Sequence, residues 1–355
     1  GFYLAIYVLS QMGLTLYAQT FALYFCELIG GGNEKIIAAL MITFFYVLNF
    51  FGVDFMSKAQ NLMTAALLLA LVWFTVRGLP RVNWSTFFGG EGWMTHGVKG
   101  LFATSTLLTY SLLGATSLMP YSAQAKNPQR DIPLAGAIST IAIAILFALM
   151  GIVASGILPL DQVANQTLGV IARHFLTTPE YIFFMVGGAL CASATTLNGL
   201  IGSVAIPLVM LSHDGWLPKK LGTLHPKYKT AYKYLFIYYL ITMAPLFLGI
   251  DISAVSDMTL LGSYVQTAIF IFNMRKIPDL FPEQWEKSVF HMPRGVFNVI
   301  MWVCFIGACF NVYGQLTNSD AKTIAFNVAI MAVGIIYSLV WFKNVKPTVS
   351  YELES

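Results

Sequence analysis

The side chains best placed to do chemistry in this sequence lie in one apolar segment, residues 99–123. Its middle, residues 109–117, reads TYSLLGATS, and Met119 and Pro120 follow. Hydroxyl groups beside a glycine and a proline indicate an interrupted helix, in which free backbone N–H and C=O groups can hydrogen-bond a polar solute. The chemistry would be recognition rather than bond making. A continuous helix whose hydroxyls bond their own carbonyls is the alternative.

Two further polar sets interrupt apolar segments downstream, one within residues 180–212 and one within residues 253–274. Together they comprise Thr195, Thr196, Asn198, Ser203, Ser263, Tyr264 and Gln266. Asn198 is the costliest to leave unpaired in an apolar setting, and a neighbouring helix could satisfy it as well as a solute could.

Residues for covalent or metal chemistry are not grouped in the sequence. The five histidines and most acidic residues fall in or beside predicted loops, while Glu27, Asp251 and Asp257 lie near segment ends, where a carboxylate can reach water. No HExxH, GxSxG or phosphate-loop motif occurs, and the four cysteines are not at metal-ligand spacing. We therefore expect a protein that is not an enzyme and that has no catalytic or metal site.

The composition is that of a membrane protein. Of 355 residues, 57% are apolar and 10% are charged, whereas about a quarter are charged in a soluble domain. This balance excludes a disordered chain, a disulfide scaffold and a nucleic-acid-binding domain. The partner predicted by composition is the lipid bilayer, and no nucleic-acid partner is expected.

The elements that must position the polar residues are predicted membrane spans. A bilayer core about 30 Å thick is crossed by about 20 apolar helical residues, because only internal backbone bonds satisfy the chain there. The ten predicted spans are residues 3–28, 36–53, 59–76, 99–123, 132–157, 180–212, 233–250, 253–274, 295–316 and 323–342.

The loops between these spans differ in positive charge. Fourteen of the 20 Lys and Arg residues fall in one alternating set of loops and six in the other. Since Lys and Arg are retained on the cytoplasmic side, the first set is predicted to be cytoplasmic, together with Gly1 and the C-terminal tail. We expect a multi-pass protein of the cytoplasmic (plasma) membrane.

Three loop motifs, in order along nearly the whole chain, resemble the amino acid–polyamine–organocation (APC) permease family. Residues 126–133 read KNPQRDIP and follow Gly114, residues 213–218 read HDGWLP, and residues 274–282 read MRKIPDLFP. They are similar to the family's loops after its sixth, eighth and tenth helices. Each motif alone is weak, but their order makes the resemblance specific.

The resemblance implies an all-α, leucine-transporter-type fold of two inverted five-helix repeats and two C-terminal helices, about twelve helices in all. In a single transmembrane domain, residues 1–78 would end the first repeat. Residues 99–275 would form the second repeat, residues 295–342 the C-terminal helices and residues 343–355 a cytoplasmic tail. The first span would correspond to the family's third helix, so the family's first two helices, with half of the backbone binding site, are expected to be missing before Gly1.

The resemblance also implies where a substrate would bind. The unwound turn would run from residue 111 to residue 117, with an aromatic gate just before it; Thr116 stands where several members have a glutamate. The candidate substrate-binding residues are Tyr110, Ser111, Gly114, Thr116, Ser117, Thr195, Asn198 and Ser263.

The function implied by the resemblance is secondary active transport of an amino acid or related amine by alternating access. No cofactor is expected apart from a possible coupling ion, Na⁺ or H⁺, and symport, antiport and uniport all stay open. Two alternatives remain from the residues alone: a non-transporting amino acid sensor or accessory membrane subunit of the same fold, and an incomplete permease fragment.

Overall fold

A computed structural model of the protein describes residues 2–52, 54–89, 97–115, 118, 125–164 and 166–344. The regular structure of these residues is helical, without a strand among them. The main α-helices are α1 (Phe2–Met12), α2 (Leu14–Ile29), α3 (Glu34–Phe51), α4 (Asp54–Gly78), α5 (Gly97–Ser111), α6 (Pro128–Gly156), α7 (Leu168–Phe175), α8 (Thr178–Phe183), α9 (Cys191–His213), α10 (Tyr232–Phe247), α11 (Ile252–Met274), α12 (Arg294–Asn318) and α13 (Ala321–Asn344). Shorter helical pieces are Leu79–Arg81, Trp84–Gly89, Leu160–Val163, Lys219–Leu221, Ile277–Leu280 and Pro282–Glu286.

Eight helical stretches of the described residues are long and apolar enough to cross a membrane, which confirms the all-α polytopic architecture. They are Tyr7–Ile29, Glu34–Phe51, Ala59–Arg81, Pro128–Gly156, Thr178–His213, Ile252–Met274, Arg294–Asn318 and Ala321–Trp341. The other two predicted spans, 99–123 and 233–250, overlap α5 and α10, helices of 15 and 16 residues. The division of the chain into two repeats stays a prediction.

Helix α5 ends where the sequence predicted an interruption. After Ser111 the chain makes a turn at Leu112, whose N–H donates to the carbonyl of Thr109 at 3.1 Å, and residues 113–115 form a 3₁₀ turn. This tighter hydrogen bonding leaves the α-helical ladder and frees backbone groups. The interruption is confirmed for residues 112–115, while Thr116 and Ser117 lie outside the described residues.

A short glycine link folds α3 back beside α2. Gly30 ends α2 at φ 77°, a left-handed conformation that glycine adopts without a Cβ penalty. Asn33 then begins α3, its side-chain oxygen accepting hydrogen bonds from the backbone N–H groups of Lys35 and Ile36 at 3.1 and 3.2 Å. The two caps define the end of the bundle that we call the Gly30 end.

Two clusters of buried side chains hold the bundle together. One joins α2, α3, α9 and α10, and its fully buried Ala18, Ala22 and Ala38 allow close helix approach. The other surrounds Phe74 of α4, which stacks on Phe184 with ring centroids 4.7 Å apart. These clusters fix α4 and α9, which carry part of the predicted site.

A π-helical segment, Phe184–Leu190, links α8 to α9. Its two glycines press against α4: a Cβ on Gly187 would lie 3.3 Å from the carbonyl oxygen of Ala66, and one on Gly188 would lie 3.6 Å from the Cβ of Ala70. The segment therefore packs its backbone directly on α4, and it sets the direction in which the α9 side chains point.

Candidate functional site

The interruption after α5 opens onto a cavity of about 230 Å³, which we call the break cavity. Its lining residues come from the interruption and from the facing side of α6: Ser111, Leu112, Gly114, Ala115, Leu118, Ser139, Thr140 and Ile143. The structure therefore brings together the predicted Ser111 and Gly114. Ser139 and Thr140 were missed by the sequence reasoning, although two adjacent hydroxyl residues within the apolar segment 132–157 were a usable signal.

Helix α6 passes the interruption at Gly136, with room for a methyl group between them. A Cβ there would lie 3.6 Å from the Cβ of Ala115 and 3.8 Å from Leu118. One turn on, the Ser139 hydroxyl donates to the carbonyl of Gly136 at 3.2 Å. No described atom lies within 4 Å of the position for a Cβ on Gly114, so none of the described residues covers its backbone on that side. Hydroxyl groups and accessible backbone can thus hydrogen-bond a small polar solute in this cavity.

Tyr110 lies one residue before the interruption and is half-buried. Its phenol lies close to the phenol of Tyr17 on α2. Two tyrosines from different helices therefore meet beside the break cavity, at the position predicted for an aromatic gate. Tyr17 was missed by the sequence reasoning because nothing in its local sequence marks it as a partner of α5.

The last turn of α5 is held by two contacts with neighbouring helices. Tyr264 of α11 is 1% exposed, and its hydroxyl donates to the carbonyl of Thr106. On the α12 side, a Cβ on Gly314 would lie 2.6 Å from the Thr106 hydroxyl, so only glycine fits there. These contacts position Tyr110 one turn further along, at the start of the interruption.

Asn198 lies in a hydrogen-bond network that joins α3, α4 and α9. Its Nδ2 donates to Oε1 of Gln60 at 2.9 Å, and its Oδ1 accepts from Nδ2 of Asn49 at 3.3 Å. Gln60 in turn donates to the carbonyl of Thr195 at 3.0 Å. The amide of Asn198, which is 9% exposed, thus has hydrogen-bond partners on two neighbouring helices.

The hydroxyls of Thr195 and Ser263 bond within their own helices. Thr195 donates to the carbonyls of Cys191 and Ala192 at 2.8 and 3.0 Å, and Ser263 donates to the carbonyl of Thr259 at 2.9 Å. Of the described residues, those that line the break cavity include none from α9 or α11. The structure therefore joins Ser111 and Gly114 in one cavity, and it places Thr195 and Asn198 together in a separate network.

A family model for amino acid permeases matches residues 2–343. The chain is 24% identical to the vacuolar cationic amino acid transporter 4 of Arabidopsis thaliana over 247 residues, which are 68% of this chain and 41% of that protein.

Two bacterial relatives are similar to this chain at nearly the same level of identity. A branched-chain amino acid permease of Bacillus subtilis is 24% identical over 52% of this chain and 39% of its own length. A serine/threonine exchanger of Bacillus subtilis is 23% identical over 86% of this chain and 69% of its own length. The matches with the plant transporter and the branched-chain permease cover less than half of those proteins. Because the family match runs over nearly the whole sequence, the chain belongs to the amino acid permease family.

Proposed function

We propose that the protein is a secondary active transporter that moves an amino acid or a related amine across the plasma membrane by alternating access. The observation that carries the proposal is the end of α5 at Ser111, beside a cavity whose lining includes three hydroxyl side chains, in a chain of the amino acid permease family. A solute held there needs only hydrogen bonds and no covalent step.

In this proposal, the break cavity binds the polar head of the solute. Accessible backbone around Gly114 and the hydroxyls of Ser111, Ser139 and Thr140 are its hydrogen-bonding groups. Tyr110 covers the solute. The side chains proposed to contribute from elsewhere in the chain are Thr116, Ser117, Thr195, Asn198 and Ser263.

Transport would be driven by an ion gradient, and the chain would have a fixed orientation in the membrane. An Na⁺ or H⁺ gradient would drive symport or antiport, and the C-terminal tail would lie in the cytoplasm. The excess of Lys and Arg in one set of loops supports this orientation.

Flux through reconstituted protein is the direct test. The complete gene product is placed in proteoliposomes, and uptake of the twenty radiolabelled amino acids and of putrescine is followed with and without Na⁺ and pH gradients. We expect at least one solute to accumulate above protein-free vesicles. Saturable binding without flux or counterflow would instead support a sensor. The absence of both binding and flux for every solute tested would contradict a transport function.

A further inference from the structure

The loop that joins α9 to α10 is strongly basic. No Asp or Glu occurs from residue 215 to residue 250, and five lysines fall within or next to the loop: Lys219, Lys220, Lys227, Lys229 and Lys233. The ion pairs among the described residues lie elsewhere and include none of these lysines. In the part of the chain that the structure describes, carboxylates therefore do not balance the charge of this loop.

The loop contains a tight turn of residues 225–230, which we call the basic turn. The N–H of Lys229 donates to the carbonyl of His225 at 2.9 Å. Nδ1 of His225 accepts from the N–H groups of Lys227 and Tyr228 at 3.3 and 3.2 Å. Because a backbone N–H can only donate, Nδ1 carries no proton, and the neutral imidazole organises the turn.

The basic turn packs on the last turn of α3. The Thr230 hydroxyl donates to the carbonyl of Phe50 at 2.9 Å. The ring of Tyr228 contacts Phe51 edge to face, with ring centroids 5.1 Å apart. Since α3 starts at the Gly30 end and ends at Phe51, the basic turn is a fixed part of the opposite end of the bundle.

The ammonium groups of the loop differ in what they contact. Lys233 is half-buried, and its Nζ donates to the Thr223 hydroxyl at 2.8 Å, so this lysine holds the loop together. Lys227 and Lys229 are exposed. Nζ of Lys227 lies 5.2 Å from the ring centroid of Tyr228, a cation–π contact. The ammonium groups of the basic turn are thus accessible to an anion from outside the bundle.

An exposed apolar stripe runs along α3 away from the basic turn, and we call it the α3 stripe. Its residues follow one another at intervals of three or four, which places them on one face of the helix. They are Leu40, Phe44, Val47 and Phe51. The stripe is about 17 Å long, close to half of a bilayer core of about 30 Å. Phe51 joins it to Tyr228, so accessible positive charge and an apolar face of one leaflet's depth are continuous.

We propose that the basic turn and the α3 stripe together bind an anionic phospholipid of the membrane. Its phosphate contacts the ammonium groups of Lys227 and Lys229, and an acyl chain lies along the α3 stripe. A free phosphate would use only the charged part of this surface, and a zwitterionic lipid brings no net charge to it. The loop belongs to the Lys- and Arg-rich set that is predicted to be cytoplasmic, where anionic lipids are concentrated. The break cavity has no part in this site, so the inference does not rest on the proposed transport function.

The test measures lipid binding by the complete gene product in a neutral detergent. The probe is phosphatidylglycerol with a fluorophore on one acyl chain, and anisotropy gives its apparent Kd at about 50 mM and about 500 mM salt. Unlabelled phosphatidylglycerol, phosphatidylcholine and inorganic phosphate are the competitors. The test variant is Lys227→Gln/Lys229→Gln. The matched control is Lys287→Gln/Lys322→Gln, which removes two exposed lysines that each have a carboxylate nearby.

We expect Lys227→Gln/Lys229→Gln to raise the apparent Kd at least about tenfold at low salt, since each lysine near an anionic lipid contributes about a factor of five. The increase should shrink at high salt. Lys227→Arg/Lys229→Arg keeps both charges and should bind as the wild type does, and so should the control. Unlabelled phosphatidylglycerol should displace the probe, whereas phosphatidylcholine and phosphate at the same concentration should not.

Four results would overturn the inference. The first is wild-type protein that does not bind the probe saturably, and the second is an unchanged Kd in folded Lys227→Gln/Lys229→Gln. The third is an equal loss of affinity in the control variant, which would mean that net charge alone governs binding. The fourth is displacement by inorganic phosphate as effective as that by unlabelled phosphatidylglycerol, which would identify a site for free anions. Melting temperatures without lipid show which variants are folded.

Discussion

The carboxylate of Glu27 occupies the space that a side chain on Gly169 would need. A Cβ on Gly169 would overlap Oε1 of Glu27 and would lie 2.9 Å from its Cδ. The carboxylate also accepts hydrogen bonds from the hydroxyls of Thr167 at 2.6 Å and Tyr181 at 3.2 Å. Since Thr167 is the N-cap residue just before α7, the last turn of α2 places a negative charge at the positive end of that helix.

Gly169→Ala should therefore destabilise the protein by about 1–3 kcal/mol, the usual range for forcing an extra methyl group into a filled space. Thermal unfolding in detergent measures the effect. The matched control is Gly151→Ala, at an exposed helical position with no described atom within 4 Å of the new Cβ. Equal melting temperatures for Gly169→Ala and the wild type would contradict the packing described at Glu27.

Asn198→Ala should destabilise the bundle by about 1–2 kcal/mol, because Oε1 of Gln60 loses its donor and Nδ2 of Asn49 loses one of its two acceptors. Asn273→Ala is the control: that residue is exposed, and its Nδ2 donates only to the carbonyl of Ile269 in its own helix. Adding Gln60→Ala to Asn198→Ala should cost less than the sum of the single changes. Strict additivity would mean that the two residues do not share a network.

Gly114→Val should reduce transport at least tenfold while the protein stays folded. No described atom lies within 4 Å of the new Cβ, so the fold has room for it, yet the β-branched side chain stiffens the turn and enters the break cavity. Initial uptake rates in proteoliposomes measure the loss. Gly307→Val, at an exposed position of α12 with similar free space, should transport as the wild type does. Full activity of folded Gly114→Val would place the substrate elsewhere.

Asp320 should give the protein a pH-dependent contribution to stability. Hydrogen bonds from the Thr323 hydroxyl and from the Thr323 N–H, the latter 2.9 Å long, lower the pKa of this carboxyl at the start of α13. A lowered folded-state pKa means that the contribution is fully present above the unfolded value of about 3.9 and is lost as the pH falls through the folded value.

The melting temperature of Asp320→Ala should accordingly lie below that of the wild type at pH 7, and the two curves should converge below about pH 4. Asp161→Ala serves as the comparison for a general effect of removing one exposed carboxylate. A difference between Asp320→Ala and the wild type that stays constant from pH 7 to pH 3 would show that the charge of Asp320 does not contribute.

The order of the helices and the interruption of α5 could be predicted because their signals are local. Apolar runs report membrane spans directly, and a glycine among hydroxyls followed by Pro120 weakens the helix within a few residues. The structure ends α5 at Ser111, inside the predicted polar run. Residues 112–115 then confirm the interruption as far as the described chain goes.

The partners of the site residues could not be predicted because they are distant in sequence. Asn198 was open to a solute or a helix partner, and Asn49, 149 residues away, is one of the two residues that bond it. Glu27 was expected to reach water near a span end, yet its carboxylate bonds Thr167, 140 residues on. Periodicity and composition say which face of a helix is polar, and they do not say which helix will meet it.

The π-helical segment Phe184–Leu190 fixes the rotational phase of everything that follows it in α9. A residue of α-helix turns by about 100°, so one residue gained or lost before Cys191 would rotate the α9 side chains by about that angle. Asn198 would then turn away from Gln60 and Asn49. A single-residue deletion between positions 184 and 190 would thus leave the sequence of α9 unchanged and turn all of its side chains toward different neighbours.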